Sequence, residues 1–192
     1  MTWIALKPKP PNKVVLNGVD LSATSTSTST SRAKLFVDPD LPAAAARELE
    51  WCWSALSTST ACGSLAVFYR DRRVLQAGVV PKRAFNNNDA ANNGEQLLSA
   101  SENVPELGAI CKGCMASGSG NYLANLALFP GRVEFQSFLP ENTQAVVVTP
   151  IGGEGVVVAA SGTQRGFTPA DQAWMSVIAE KLDQTLSGEQ RA

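Results

Sequence analysis

The chain contains no histidine in its 192 residues. That absence closes the commonest acid–base routes, Ser-His and Cys-His nucleophile pairs, and most zinc and haem ligation. Carboxylates or a lysine remain as catalytic groups. Cysteine is sparse, and the four present, Cys52, Cys62, Cys111 and Cys114, are too few for a disulfide scaffold at this length. No apolar run approaches the ~20 residues that cross a bilayer. The start has the pattern of neither a signal peptide nor an arginine-rich transit segment. A basic excess is also missing, with 16 Lys plus Arg against 17 Asp plus Glu, so no nucleic-acid partner is expected.

What is present is a chain with 44% apolar and 17% charged residues. It is long enough to bury one core without staples. Its charge is uneven. Arg70, Arg72, Arg73, Lys82 and Arg83 cluster around one turn, with Asp71 the acidic residue among them. Such a cluster suits anionic lipid or an acidic partner, or is a solvated hairpin end.

The sequence divides into an extended lead-in and Ser/Thr-rich loop over 1–33, a domain over 34–187 and a tail over 188–192. Consecutive prolines hold the lead-in extended. Lys13–Leu16 and Lys34–Val37 have the makings of short strands. Ser22–Ser31 has nothing apolar to bury and reads as a mobile loop. A helix is expected over 40–58, where Leu49, Cys52, Trp53 and Leu56 form one stripe. Trp51 lies off that stripe, so either the helix is buried broadly or Trp51 faces a partner. Ser64–Arg70 and Arg73–Val80 read as a hairpin. Residues 83–104 lose all apolar period and read as a disordered Asn-rich insertion.

Beyond the insertion, 107–117 reads as a short helix stopped by Gly118 and Gly120. Residues 121–129 read as a helical turn or a strand, and Arg132–Leu139 as a strand. Gln144–Thr149 and Gly155–Ala160 form a second hairpin, whose continuous apolar runs suggest strands covered on both faces. Thr168, Pro169 and Asp171 open a last helix. Its apolar repeat is Trp174, Ile178 and Leu182, widened by Val177 and Leu186. The element order implies an α+β fold, a central antiparallel sheet with helices packed on it. The stretch from Gly152 to Leu182 resembles the end of a GAF domain, with PAS and profilin-like domains as near alternatives.

Cys111-Lys112-Gly113-Cys114 is the motif with chemical potential. A C-x-x-C spacing serves redox pairs, half zinc sites and haem attachment. The haem version needs histidine next, where Met115 stands, and the zinc version needs a second ligand pair, which Cys52 and Cys62 supply poorly. The bland reading is two small residues one helical turn apart. Gly118–Asn125 brings Asn121, Tyr122 and Asn125 after two glycines, a pattern that lines a concave surface or simply follows a helix stop. No metal site is expected.

At ELEWCWSAL, VLQAGV, GNYLANLALFPGRVEF, FLPENTQAVVVTPIG and RGFTPADQAWMSVIAEKLD the sequence resembles the B-subunit family of cofactor assembly of complex C. The resemblance implies a GAF-like domain of a non-enzymatic assembly factor for attaching haem ci to the cytochrome b subunit of the photosynthetic cytochrome b6f complex. It implies two membrane helices before the domain, so that this chain is the domain without its anchor. It further implies a paralogous partner in a heterodimer, an apocytochrome b client, and a chloroplast or cyanobacterial thylakoid with the domain facing the stroma or cytoplasm. No stable cofactor is implied, and no catalytic residue set. Haem would touch Cys111, Cys114, Met115 or Met175 only in passing. Trp51, Asn121, Tyr122 and Asn125 are the candidate interface, and the arginine cluster a candidate membrane or partner patch. Two alternatives stand beside this reading: a module that binds haem or another small molecule, and a thiol reductant using Cys111 and Cys114.

Overall fold

A computed structural model describes residues 11–21, 35–81 and 105–188. In chain order these hold β1 (Val19–Asp20), β2 (Phe36–Val37), α1 (Ala43–Ser59), β3 (Ser64–Tyr69), β4 (Arg72–Val80), α2 (Ala109–Ser117), β5 (Asn121–Leu123), β6 (Ala145–Ile151), β7 (Gly155–Ser161) and α3 (Pro169–Gly188). Short 3-10 turns occupy Leu126–Leu128 and Pro130–Phe135. The Ser/Thr tract, the Asn-rich insertion, Lys82, Arg83 and the last four residues lie outside the described residues.

Every pairing is antiparallel, in the order β1-β4-β3-β7-β6-β5, with β2 also on the outer edge of β4. This is the expected α+β class, a central antiparallel sheet with helices packed on it. The period of two in the strands splits the core into two layers. Leu65 and Val67 of β3, Val157 and Ala159 of β7, and Ala145 and Val147 of β6 point to one face. Ala66 and Phe68, Val156 and Val158, and Val146 and Val148 point to the other. The central strands are therefore covered twice, as their unbroken apolar runs require.

The first face is closed by α1 and α3. Leu49, Cys52, Trp53 and Leu56 of α1 are buried there, as the stripe predicts. The inward face of α3 differs from expectation. It is Met175, Ile178, Ala179, Leu182 and Leu186, while Trp174 and Val177 are 37% and 53% exposed. Both stripes have helical spacing, and the aromatic marks the wrong register. The start of α3 is a reciprocal cap: Asp171 N–H donates to Thr168 Oγ1 at 3.2 Å, and Thr168 N–H donates to Asp171 Oδ2 at 2.7 Å.

The second face is closed by α2 and by 126–139. Residues 132–139 do not form the expected strand. Phe135, Phe138 and Leu139 are buried at helical spacing, and Val133, placed inward by the alternation, is 67% exposed. Pro130 fits the first turn of that 3-10 segment. Phe138 meets Phe68 edge to face at 5.0 Å and Phe135 at 6.1 Å, so rings fill the space over the sheet. The ambiguity over 121–129 resolves as both forms, β5 followed by a 3-10 turn. Residues 11–21 belong to the domain as well, since β1 pairs with the far end of β4.

Candidate functional site

Cys111 and Cys114 sit on the inner side of α2. Their exposures are 0% and 4%, and both belong to the second core layer. Glu134, carried by the 3-10 turn, reaches over the start of α2. Its carboxylate accepts from Ile110 N–H at 3.1 Å and Cys111 N–H at 3.3 Å. Helix N-termini leave these donors orphaned and favour negative charge. α2 has no cap of its own, because Gly108 holds the cap position, and a Cβ there would meet Glu134. Burial first, and then the Glu134 charge, push both the Cys111 and Cys114 thiols up. A thiol reductant needs an accessible thiol of lowered pKa, so this structure runs against that reading. Cys52 and Cys62, in the other layer, are pushed up to about 12, chiefly by burial. Met175 is enclosed as well, and of the four groups considered for haem contact Met115 alone is part-exposed.

Trp51 stands at the outer seam of α1 and α3. It is 42% exposed and meets Trp174 edge to face at 6.2 Å. Lys181 pairs with Glu48, and its ammonium lies 5.3 Å from the Trp51 ring centre. The two indoles border an open groove of about 380 Å³, completed by Ser54, Ala55, Thr58 and Ser59. From Trp51 to Thr60 the helix carries no charge on any face. A solvated helix face is ordinarily charged, so this ridge is unusual. Val177 extends it along α3.

The other candidate interface residues divide. Asn121 is exposed, while Tyr122 turns inward against Phe167 at 6.3 Å and accepts from Phe167 N–H at 3.3 Å. Asn125 is part-buried, and its Oδ1 has no hydrogen-bond partner. Tyr122 holds β5 to the start of α3 and adds nothing to the Trp51 ridge.

Two members of the arginine cluster, Arg70 and Arg72, are neutralised. Arg70 bonds Glu154 at 2.7 Å, and Arg72 bonds Asp38 and Asp40, each at 2.7 Å. Arg73 is half-buried over the Phe36 ring at 5.4 Å, and burial pulls its pKa down. Arg70 and Asp71 both take left-handed backbone, with φ of 49° and 58°, in a hairpin turn pinned by Arg70 N–H donating to Glu154 O at 2.8 Å. Asp38, Asp40 and Glu154 are distant in sequence, which is why sequence spacing shows charge without its partners.

Two features of these surfaces are not evident from local sequence. Periodicity places Trp174 inward, yet it is half of the ridge. Alternation places Glu134 in a strand, yet it is the cap of α2. The uncharged run from Trp51 to Thr60 is the available signal for the first; nothing local marks the second.

The fold and these surfaces define an α+β domain filled on both faces and carrying an exposed aromatic ridge. The sequence matches, over residues 1–182, the family described as cofactor assembly of complex C, B subunit, CCB2/CCB4, and the chain belongs to that family. It is 37% identical over 186 residues to the chloroplastic cofactor assembly of complex C protein CCB4 of Arabidopsis thaliana, covering 97% of this chain and 55% of that protein. The chain thus spans about half the length of the curated relative it matches. In structure it is similar to a type II free methionine-R-sulfoxide reductase from Thermoplasma acidophilum, at 15% identity and a TM-score of 0.48, covering 73% of this chain and 89% of that one.

Proposed function

We propose that this domain is a scaffold in the covalent attachment of haem ci to the cytochrome b subunit of the photosynthetic cytochrome b6f complex. It works by binding a paralogous domain and presenting the apoprotein, on the stromal or cytoplasmic side of the thylakoid membrane. Family membership supports the process. The Trp51–Trp174 ridge is the observation that carries the mode of action. Exposed tryptophans beside an uncharged helix stretch, with the Lys181–Glu48 pair at the edge, have the apolar centre and polar rim of an interface. The chemistry of bond formation is left to other components, in keeping with a sequence that has no histidine and with thiols that are enclosed.

The test replaces the native protein with a Trp51→Glu, Trp174→Glu variant in a photosynthetic host and stains the cytochrome b polypeptide for covalent haem. Loss of stain, with the variant accumulating to normal level, is expected. Normal haem attachment would remove the ridge from the mechanism.

A further inference from the structure

Residues 12–17 cross one end of the sheet as a strap. Val14 N–H donates to Gly162 O at 2.8 Å, and Gln164 N–H donates to Asn12 O at 2.8 Å. Asn142 Nδ2 donates to Val15 O at 2.6 Å, and Asn17 N–H donates to Asn142 Oδ1 at 2.7 Å. The same end receives the loop at 124–128, through Arg165 N–H to Ala124 O at 2.8 Å and Leu126 N–H to Gln144 O at 2.7 Å. These bonds fix backbone from four parts of the chain into one surface.

Two large apolar side chains project from that surface. Val15 is 88% exposed and Leu128 80%, the highest values among the large hydrophobics described. One exposed valine or leucine needs no explanation. Here the two share a surface with cations. Lys13 bridges to Thr163, Arg165 is held in left-handed backbone at φ 53°, and Arg132 donates to Ala127 O at 3.1 Å.

Among the described residues, these three cations lack the carboxylate partners that four other cations have. Arg70, Arg72, Lys112 and Lys181 each have a carboxylate partner. Lys13, Arg132 and Arg165 have none among the described residues, and neither has Arg47 on the outer face of α1 or half-buried Arg73. Of the acids nearby, Asp171 is spent capping α3 and Glu141 has an interaction of its own. Unpaired positive charge around protruding apolar groups is complementary to an anionic membrane surface, where the apolar groups enter the headgroup layer and the cations meet the headgroup anions.

We propose that this end of the domain seats on an anionic lipid bilayer, with Val15 and Leu128 as the inserted groups and Lys13, Arg132 and Arg165 as the headgroup contacts. The arginine turn at 70–73 lies at the other end of β3 and β4 and faces away. The α1/α3 ridge flanks the sheet and stays open to a protein partner while the end is seated.

The test is flotation of the full chain with phosphatidylcholine vesicles, plain or with about a third of the lipid replaced by phosphatidylglycerol. Binding to the anionic vesicles, weakened by salt, is expected. A Lys13→Glu, Arg165→Glu variant is expected to lose roughly tenfold or more in partitioning, and Leu128→Ser to weaken it without changing the thermal midpoint. Arg70→Gln is the control at the opposite end and should bind as the parent does. Equal partitioning to neutral and anionic vesicles, an unaffected charge-reversal variant, or loss of binding in Arg70→Gln would each overturn the proposal. Capture of an acidic protein at this end, with no vesicle binding, would overturn it too.

Discussion

Glu134 closes the helix that carries Cys111: its carboxylate accepts from the Ile110 and Cys111 backbone N–H groups, joining the 3-10 segment to α2 over the second core layer. The contact spans more than twenty residues of sequence, and it sets both the position of α2 and the electrostatic surroundings of its thiols.

Removing that cap should cost stability. Glu134→Ala is expected to lose about 1–2 kcal/mol, the range for a lost N-cap or a charged hydrogen bond to backbone. Glu134→Gln keeps a carbonyl acceptor and should lose less. Urea unfolding of the three chains checks this. Equal stability of parent and alanine variant would show that water satisfies α2 instead.

The buried thiols make stability fall in alkali. In the folded chain Cys52 and Cys62 ionise near 12, above the ordinary thiol value of 9.0. Between those values the unfolded chain has released protons that the native chain keeps. The unfolded state then binds fewer protons, and stability falls as pH rises, by about 1.4 kcal/mol per pH unit for each such thiol. Below the unfolded value these thiols contribute no slope. Unfolding free energy measured from neutral pH to about pH 10.5 should fall more steeply for the parent than for a Cys52→Ala, Cys62→Ala variant. Parallel curves would mean that the thiols are not buried as described.

Two glycines of positive φ should respond differently to alanine. Gly118 ends α2 at φ 66° with no atom within 4 Å of a built Cβ. Gly78 in β4 has φ 75°, but a Cβ there would lie 2.4 Å from Gly63 O and 2.6 Å from the Trp53 ring. Gly118→Ala should cost about 1 kcal/mol, the left-handed penalty alone. Gly78→Ala should cost about 3 kcal/mol or more, because backbone and a core ring must both move. Thermal or urea unfolding orders the two, and the reverse order would contradict the packing of β4 against Trp53.

The Trp51–Trp174 contact should matter more to binding than to folding. Trp51→Ala removes an edge-to-face pair worth about 0.5–1.5 kcal/mol beyond area and some half-exposed surface, so its stability loss should stay near 1–2 kcal/mol. Urea unfolding measures it. A loss above about 4 kcal/mol would show Trp51 to be a core residue.

Much of this architecture is legible in the sequence because it is local. The α1 stripe, both hairpins, the Gly118 stop and the Thr168–Asp171 cap each declare themselves within a few residues. The failures come where long-range packing chooses between patterns of equal merit. Residues 132–139 alternate like a strand, yet Phe135, Phe138 and Leu139 also fit one helical face, and the rings over Phe68 decide it. In α3 the stripes starting at Trp174 and at Met175 are equally periodic, and packing buries Met175 while Trp174 is left at the outer seam against Trp51. The site is less legible than the fold. The arginines near the β3–β4 turn read as a patch because Asp38, Asp40 and Glu154 are remote in sequence. The surface with unpaired charge is assembled from Lys13, Arg132 and Arg165, which no sequence window contains.

The most direct test of the account mixes this domain with the corresponding domain of a paralogue at micromolar concentration and measures the mass of the species by gel filtration with light scattering. The account predicts a one-to-one complex that Trp51→Glu or Trp174→Glu separates while each partner stays folded. Two independent peaks at monomer mass, or a complex indifferent to both tryptophans, would contradict it.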